Sequence, residues 1–480
     1  MVTQFDVPLI KALNDYCLKN KANFHVPAHR QGQALPEEIR HNNLIKWDLT
    51  ELPGLDDLHN PKNVIAQAQF LAAEAYGSKR CYFVVNGTSG GLMALMMATA
   101  GENDAVIIPR NAHRSALSGL IFSGARPIYI YPQLLQEFGI AVGNSPKDLK
   151  KVIESNPDVK SVLVVHPNYY GVSEKINILA NIAHSYNKPL LVDEAHGAHF
   201  RFHPGLPMDA LAGGADAVVQ STHKTAGAMT QASMVHINSN RINQYALEES
   251  LSMLQTTSPS YVLMASLDAA RHQMATEGRD MIEKSLKVAR VLRKEISQMS
   301  NLEVLSPHHL GDCDILMLDE TRLVINVNKT GLSGYEAAEL MSNNYNVQVE
   351  MADSSNIVAL LGLNADKTDQ LKFYQALDKL SKHTINSKKT AEVLPLPPRV
   401  VQAITPRKAW LSKKKSVLLE GSLGSISADS IAVYPPGIPA VYPGEVISAE
   451  MIDYLLEARA RKMHVHCSGD ASMKFLRVVV

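Results

Sequence analysis

The chain has 480 residues, too long for one ordinary hydrophobic core, which points to two or three domains. Its 47 basic and 47 acidic residues cancel, so no whole-chain electrostatic footprint for nucleic acid or an anionic membrane exists. With 46% hydrophobic and 20% charged residues it is a globular chain and not a disordered one.

The N-terminal run MVTQFDVPLIKALNDY has no basic region ahead of an apolar block, so no secretory signal is expected. Leu9, Ile10, Leu13 and Cys17 are spaced to share one face of a helix. The Asp- and Pro-bearing stretch 48–61 reads as irregular loop. Apolar, β-branched runs then recur: CYFVV (81–85), AVIIP (105–109), PIYIY (127–131), SVLVV (161–165), PLLVD (189–193) and DAVVQ (216–220). Helical segments such as 91–100 and 115–124 lie between them, which predicts an α/β fold with a mostly parallel sheet covered on both faces. The longest apolar stretch, Leu92–Ala100, is about half of the roughly 20 residues a membrane span requires.

From Tyr261 a long stretch with one glycine and no proline predicts a long helix. Short strands at RLVINVN, VQVEMA and IVALLG around the helix GYEAAELMSNNY suit a small α+β unit. The Lys-, Thr- and Pro-rich run after residue 383 reads as a linker, and the helix ISAEMIDYLLEARA belongs to a last unit. The expected division is an N-terminal arm (1–30), a large domain (31–285), a small α+β domain (286–383), a linker (384–401) and a C-terminal α+β domain (402–480). Cys17, Cys81, Cys313 and Cys467 form no CxxC pair, so neither a disulfide framework nor structural zinc is expected, and a cytoplasmic protein is. His464 and His466 alternate onto one strand face without a second ligand pair, so no metal site is expected there. Lys413, Lys414 and Lys415 read as a solvated loop.

Four polar clusters follow the predicted strands, where an open parallel sheet places its ligands. Gly87, Thr88 and Ser89 open a helix after residues 81–85, where backbone N–H groups and the helix dipole favour a phosphate; an ordinary Gly-rich turn has the same look. Asp193, Glu194, Ala195, His196 and His199 crowd one strand end, as caps or as catalytic groups. Ser221, His223 and Lys224 end the next strand. Burying an ammonium there is costly unless it is paired or neutralised, and a lysine of lowered pKa is what Schiff-base chemistry needs. His113 and its basic neighbours follow residues 105–109 and alone would pass for a solvated turn.

The order of these clusters (phosphate cradle, histidine, strand-end aspartate, lysine one strand later) resembles pyridoxal-phosphate enzymes of fold type I, the aspartate-aminotransferase-like fold. FHVPAHRQG (24–32), ELPGLDDLHNP (51–61), AQFLAAEAYGSKRCYFVVNGTSGG (68–91), RNAHRS (110–115), VDEAHGAHF (192–200), QSTHKT (220–225), SPSYVLMASLDAAR (258–271) and YPPGIPAVYPGE (434–445) are similar to the Orn/Lys/Arg decarboxylase family. The length resembles its short bacterial form, without the N-terminal wing domain of the long members. The resemblance makes the large domain the pyridoxal 5'-phosphate domain and implies these roles: Lys224 as the Schiff-base lysine, Asp193 on the pyridine nitrogen, His113 stacked on the ring, Ala195 on its other face and His196 at the phenolic oxygen. Gly87, Thr88, Ser89, Ser221 and His223 are implied at the phosphate, with Lys224 or His223 returning a proton to Cα. It further implies α-decarboxylation of arginine, lysine or ornithine to a polyamine or its precursor, by a homodimer or higher assembly with sites at the interface.

Ala28, Arg30 and Ser425 depart from the family's usual PGHKxG-like and GRISAE-like runs. An aminotransferase and a non-catalytic regulatory relative are the rival readings; the intact Lys224 and Asp193 argue against the second. Glu51, Asp56 and Asp57 are carboxylates for a substrate's distal cation, or plain caps, and the specificity residue stays unassigned.

Overall fold

The β-branched runs pair into one seven-stranded sheet in the computed structural model, which describes residues 2–19, 21–311, 316–383, 394–434, 437–461 and 463–480. In chain order its strands are β1 (Arg80–Val84), β2 (Ala105–Pro109), β3 (Arg126–Ile130), β4 (Ser161–Val165), β5 (Leu190–Asp193), β6 (Ala217–Gln220) and β7 (Ser233–Ile237). They lie in the order β1-β7-β6-β5-β4-β2-β3. From β3 to β6 the pairs are parallel, and β7 alone runs against both its neighbours. The six strands other than β7 therefore deliver their C-terminal ends to one edge.

Alternate strand residues point to opposite faces, and both faces are apolar here. Phe83, Ile107, Val164, Val192 and Val218 enter one core, and Val84, Val106, Leu163, Leu191 and Val219 enter the other. Strands buried on both sides are continuous apolar runs, which is why six of the seven were legible. β7, with the fully buried His236 inside its run, was not anticipated.

The helix after β1 spans Gly87–Thr99, beginning four residues earlier than the apolar run suggested and so including the whole Gly-rich turn. Gly87 has φ +79°, a left-handed conformation suited to glycine. Gly91 brings the helix onto the sheet: a Cβ there would lie 2.6 Å from Val219 Cγ1 and 2.7 Å from Val235 Cγ2.

The long helix runs over Tyr261–Ile296, its start capped by the Ser260 hydroxyl, which accepts from Leu263 N–H at 3.3 Å. At 36 residues it extends about 54 Å. Tyr261, Met264 and Leu267 sit in the sheet core, while Leu292 and Ile296 sit in the core of the small unit. The N-terminal helix Pro8–Leu18 buries Leu9, Leu13 and Tyr16 against that sheet core; Cys17 stays half-buried. The small unit is an antiparallel sheet of Glu303–Val304, β8 (Arg322–Asn326), Asn356–Leu360 and Met351–Ala352, covered by helices Gly334–Tyr345 and Lys367–Ser381. Only Met351–Ala352 of the expected strand VQVEMA is strand.

The last unit places Ile431–Tyr434 between Pro439–Val441 and His464–Cys467, beside the helix Ala449–Ala460. Lys414 and Lys415, read above as loop, lie on the exposed strand Lys414–Leu418, which pairs with Phe475–Val479. The loop reading fails because lysines on a solvated strand face leave no hydrophobic alternation to detect. Residues 384–393 of the expected linker, Cys313, and Pro435 and Pro436 lie outside the described residues.

Candidate active site

β5 ends at Asp193 and its neighbour β6 at Gln220, so the turns carrying His196 and Lys224 are adjacent. Lys224 Nζ lies 3.0 Å from His196 Nε2 and 5.5 Å from the centre of the Tyr169 ring. The His196 and Tyr169 ring centres are 4.4 Å apart. Asp193 is buried, and one of its oxygens accepts the Ala195 N–H at 3.2 Å. Ala195 is buried in the same turn. His113 is the N-cap of helix Arg114–Ser123, its Nδ1 accepting from Ser115 N–H at 3.3 Å and lying 2.7 Å from the Ser115 hydroxyl.

Burial and charge shape the titration of this cluster. Desolvation pushes the Lys224 amine below the ordinary lysine range, with Asp193 pulling it up and Arg322 pushing it further down. Burial raises the Asp193 carboxyl, against the nearby charges of His113 and Lys224. Burial likewise lowers His113, His196 and His223. A lysine, an acid and three histidines whose burial and charges shift one another in one cluster are the pattern of a chemically active site.

At the start of helix Gly87–Thr99 the hydroxyls of Thr88 and Ser221 make a close hydrogen bond, and Ser233 lies 3.2 Å from Thr88. Ser89 is half-buried one residue on. Buried Asn86 Oδ1 and Thr222 Oγ1 have no hydrogen-bond partner around this turn. His223 donates from Nδ1 to the Ala232 carbonyl at 3.0 Å, which leaves Nε2 as its other ring nitrogen. Hydroxyls, helix-start N–H groups and an imidazole are a donor set for a phosphate. Together with the neighbouring acid and low-pKa amine, these residues fit pyridoxal phosphate.

The ten residues singled out above thus come to one edge of the sheet. Three others went unanticipated. Arg322, at the start of β8, is 1% exposed and donates from Nη2 to His196 Nδ1 at 2.8 Å and from Nη1 to the Tyr169 carbonyl at 3.2 Å. Tyr169 follows β4, and Glu350, exposed, acts through its charge on both Lys224 and Arg322. An arginine opening an apolar run was a signal of the kind Lys224 provided. By contrast, Asp56 caps the helix Val64–Tyr76, accepting the N–H of Asn63 at 2.7 Å and of Ile65 at 3.1 Å. Asp57 accepts the His59 N–H at 2.9 Å, and Glu51 pairs with the Thr50 hydroxyl. All three acids are engaged locally.

A mostly parallel sheet with a lysine and an aspartate at adjoining strand ends is the architecture of fold type I pyridoxal-phosphate enzymes. The chain is similar in fold to alanine–glyoxylate aminotransferase of Nostoc, with a TM-score of 0.55 at 16% identity over 71% of this chain and 92% of that one. It superposes more fully on the lysine decarboxylase of Francisella novicida, with a TM-score of 0.85 at 21% identity over 99% and 81%. Residues 7–369 match the Orn/Lys/Arg decarboxylase major domain and residues 388–466 the C-terminal domain of the same family. The arginine decarboxylase of Bacillus subtilis is 36% identical over 100% of this chain and 99% of its own length. The chain belongs to the Orn/Lys/Arg decarboxylase family, and it is a pyridoxal-phosphate-dependent amino-acid decarboxylase.

Proposed function

We propose that the protein removes the α-carboxylate of a basic L-amino acid, arginine before lysine or ornithine, releasing carbon dioxide and an amine that serves as a polyamine precursor. The observation that carries this reading is the half-buried Lys224–His196 contact beside Asp193 at the ends of two adjoining strands. The order of substrates rests on the full-length match to a relative named arginine decarboxylase.

Pyridoxal phosphate, when bound, supplies a cationic ring that accepts the electron pair left on Cα as carbon dioxide departs. In this reading Lys224 is its point of covalent attachment, and Asp193 keeps a proton on the ring nitrogen. His113 and the small Ala195 would border the ring. Gly87, Thr88, Ser89, Ser221 and His223 would hold the phosphate, and His196 would donate to the phenolic oxygen. Lys224 or His223 would return the proton to Cα; burial lowers both groups, which brings the lysine amine down from its usual alkaline range and favours the neutral imidazole. Glu350, whose charge acts on Lys224, is the carboxylate this reading assigns to a substrate's distal cation. The working form is a homodimer or larger homo-oligomer in the cytoplasm. Exposed Phe24 and Val26, in the FHVPAHRQG run, are apolar surface that a second copy would cover.

Transamination would need an arginine free to grip the substrate carboxylate. Arg322, whose charge acts on Lys224, is instead fully buried and bonded to His196 and Tyr169. The test is carbon dioxide release from arginine, lysine and ornithine side by side. Arginine should turn over, and the K224A variant should lose both turnover and a borohydride-bleachable yellow band. Amino-group transfer to a 2-oxo acid without gas would overturn the reading.

A further inference from the structure

We propose that Arg322 is a positioning residue that fixes the His196 proton on Nε2 and thereby holds the Lys224 side chain as the uncharged amine. A guanidinium has five N–H donors and no acceptor. Arg322 Nη2 stands 2.8 Å from His196 Nδ1, so Nδ1 must present its lone pair. The neutral imidazole then carries its one proton on Nε2, which faces Lys224 Nζ at 3.0 Å. That N–H has to donate. An ammonium has three donors and no lone pair to receive it, whereas the free amine accepts. Turning the ring over would set carbon atoms against both partners and abolish both bonds.

The lock has its own foundation. Arg322 Nη1 donates to the Tyr169 carbonyl at 3.2 Å, and Nε lies 3.8 Å from Asp319, which also meets His199 at 3.2 Å and accepts from Thr321. Asp319 therefore faces Arg322 from its own turn as a nearby opposite charge, without a hydrogen bond to the guanidinium. The groups acting on Lys224 and His196 are Arg322, Asp193, Glu350, His113, His223 and the Tyr169 ring; Asp193, Glu350 and that ring favour the ammonium and Arg322 opposes them. Burial sides with Arg322, so the directions agree with the hydrogen-bond logic. The consequence for Lys224 as coenzyme attachment point rests on the reading proposed above: attack on an aldehyde needs the free amine, whose two hydrogens leave with the aldehyde oxygen as water.

The test reads the basicity of Lys224 without coenzyme. The full-length chain is freed of coenzyme with hydroxylamine, and trace acetylation by acetic anhydride is followed against pH by peptide mass spectrometry, normalised to a surface lysine. Wild type should be labelled at Lys224 near neutrality. R322M should be labelled about tenfold more slowly at the same pH and recover only under alkaline conditions, a shift of about one pKa unit. R322K, another donor-only side chain, should restore the wild-type profile. H196F leaves the Arg322 charge in place but removes the relay, and it should resemble R322M. A wild-type profile in H196F would leave only a charge effect and overturn the proposal, as would a wild-type profile in R322M; if R322M fails to fold, H196F decides. Borohydride trapping of pyridoxal phosphate on Lys224 of the wild type is a separate measurement, and its failure would refute the coenzyme reading without touching the labelling result.

Discussion

A buried ion pair between Arg110 and Glu445 fastens the C-terminal unit to the sheet, and breaking it should have a large and localised effect. Arg110, directly after β2, is 1% exposed, and Glu445 is 0% exposed. The guanidinium makes a bidentate pair with Glu445 and donates to the carbonyls of Pro439 and Ala440, each at 2.9 Å. The rings of Tyr129 and Tyr442 flank it, with centres 4.4 and 4.8 Å away. R110M leaves a buried carboxylate with only the Tyr442 N–H at 2.7 Å and strips two carbonyls of their donor. Removing one member of a buried pair costs about 3–5 kcal/mol, and each lost cation–π contact adds about 1. E445Q should cost less, because the amide keeps a hydrogen-bonding oxygen, and R110M/E445Q should cost at least about 2 kcal/mol less than the sum of the singles. Of the two tryptophans, Trp47 and Trp410, the second lies in the helix Pro406–Leu411 of the last unit. In a W47F background, urea unfolding followed by Trp410 fluorescence therefore reports on that unit directly. An R110M transition within about 1 kcal/mol of the parent, or strictly additive singles, would refute the pair as the fastening. His113 lies three residues beyond Arg110, so loss of the pair should also weaken coenzyme capture.

G91A should destabilise the protein by about 1–3 kcal/mol, since its methyl meets two branched side chains of β6 and β7; V219A should recover part of the loss, and a G91A melting temperature equal to wild type would contradict the close helix–sheet contact. Buried His166 and His236 are pushed down to about 4 and about 3, below the ordinary value of 6.5, by desolvation. The unfolded chain then binds more protons as the pH falls below about 6.5, so stability is complete above that value and is lost toward pH 4, by roughly 3 kcal/mol for His166 alone. H236F, which keeps a ring against Tyr76 in place of the imidazole, should flatten the dependence of the urea midpoint on pH, and an unchanged slope would exclude His236 as a contributor. E350Q should raise KM for a basic substrate about two- to fivefold with little change in kcat, as expected for an exposed charge pair; an unchanged KM would remove Glu350 from substrate recognition.

The parallel strands, the long helix and the positions of Asp193 and Lys224 were readable because each is a local pattern: a continuous apolar run, a helical spacing, a polar cluster at a run's end. Chain order then sufficed to bring those clusters to one edge, since parallel strands share the direction in which they end. β7 and the exact start of helix Gly87–Thr99 escaped because a buried histidine and a Gly-rich turn interrupt the patterns that mark such elements. Nothing local pairs Arg110 with Glu445, 335 residues away, or Arg322 with His196, 126 residues away. Such partners are selected by which buried donor meets which buried acceptor once the units dock, because a charge removed from water must find its complement wherever the packing places it.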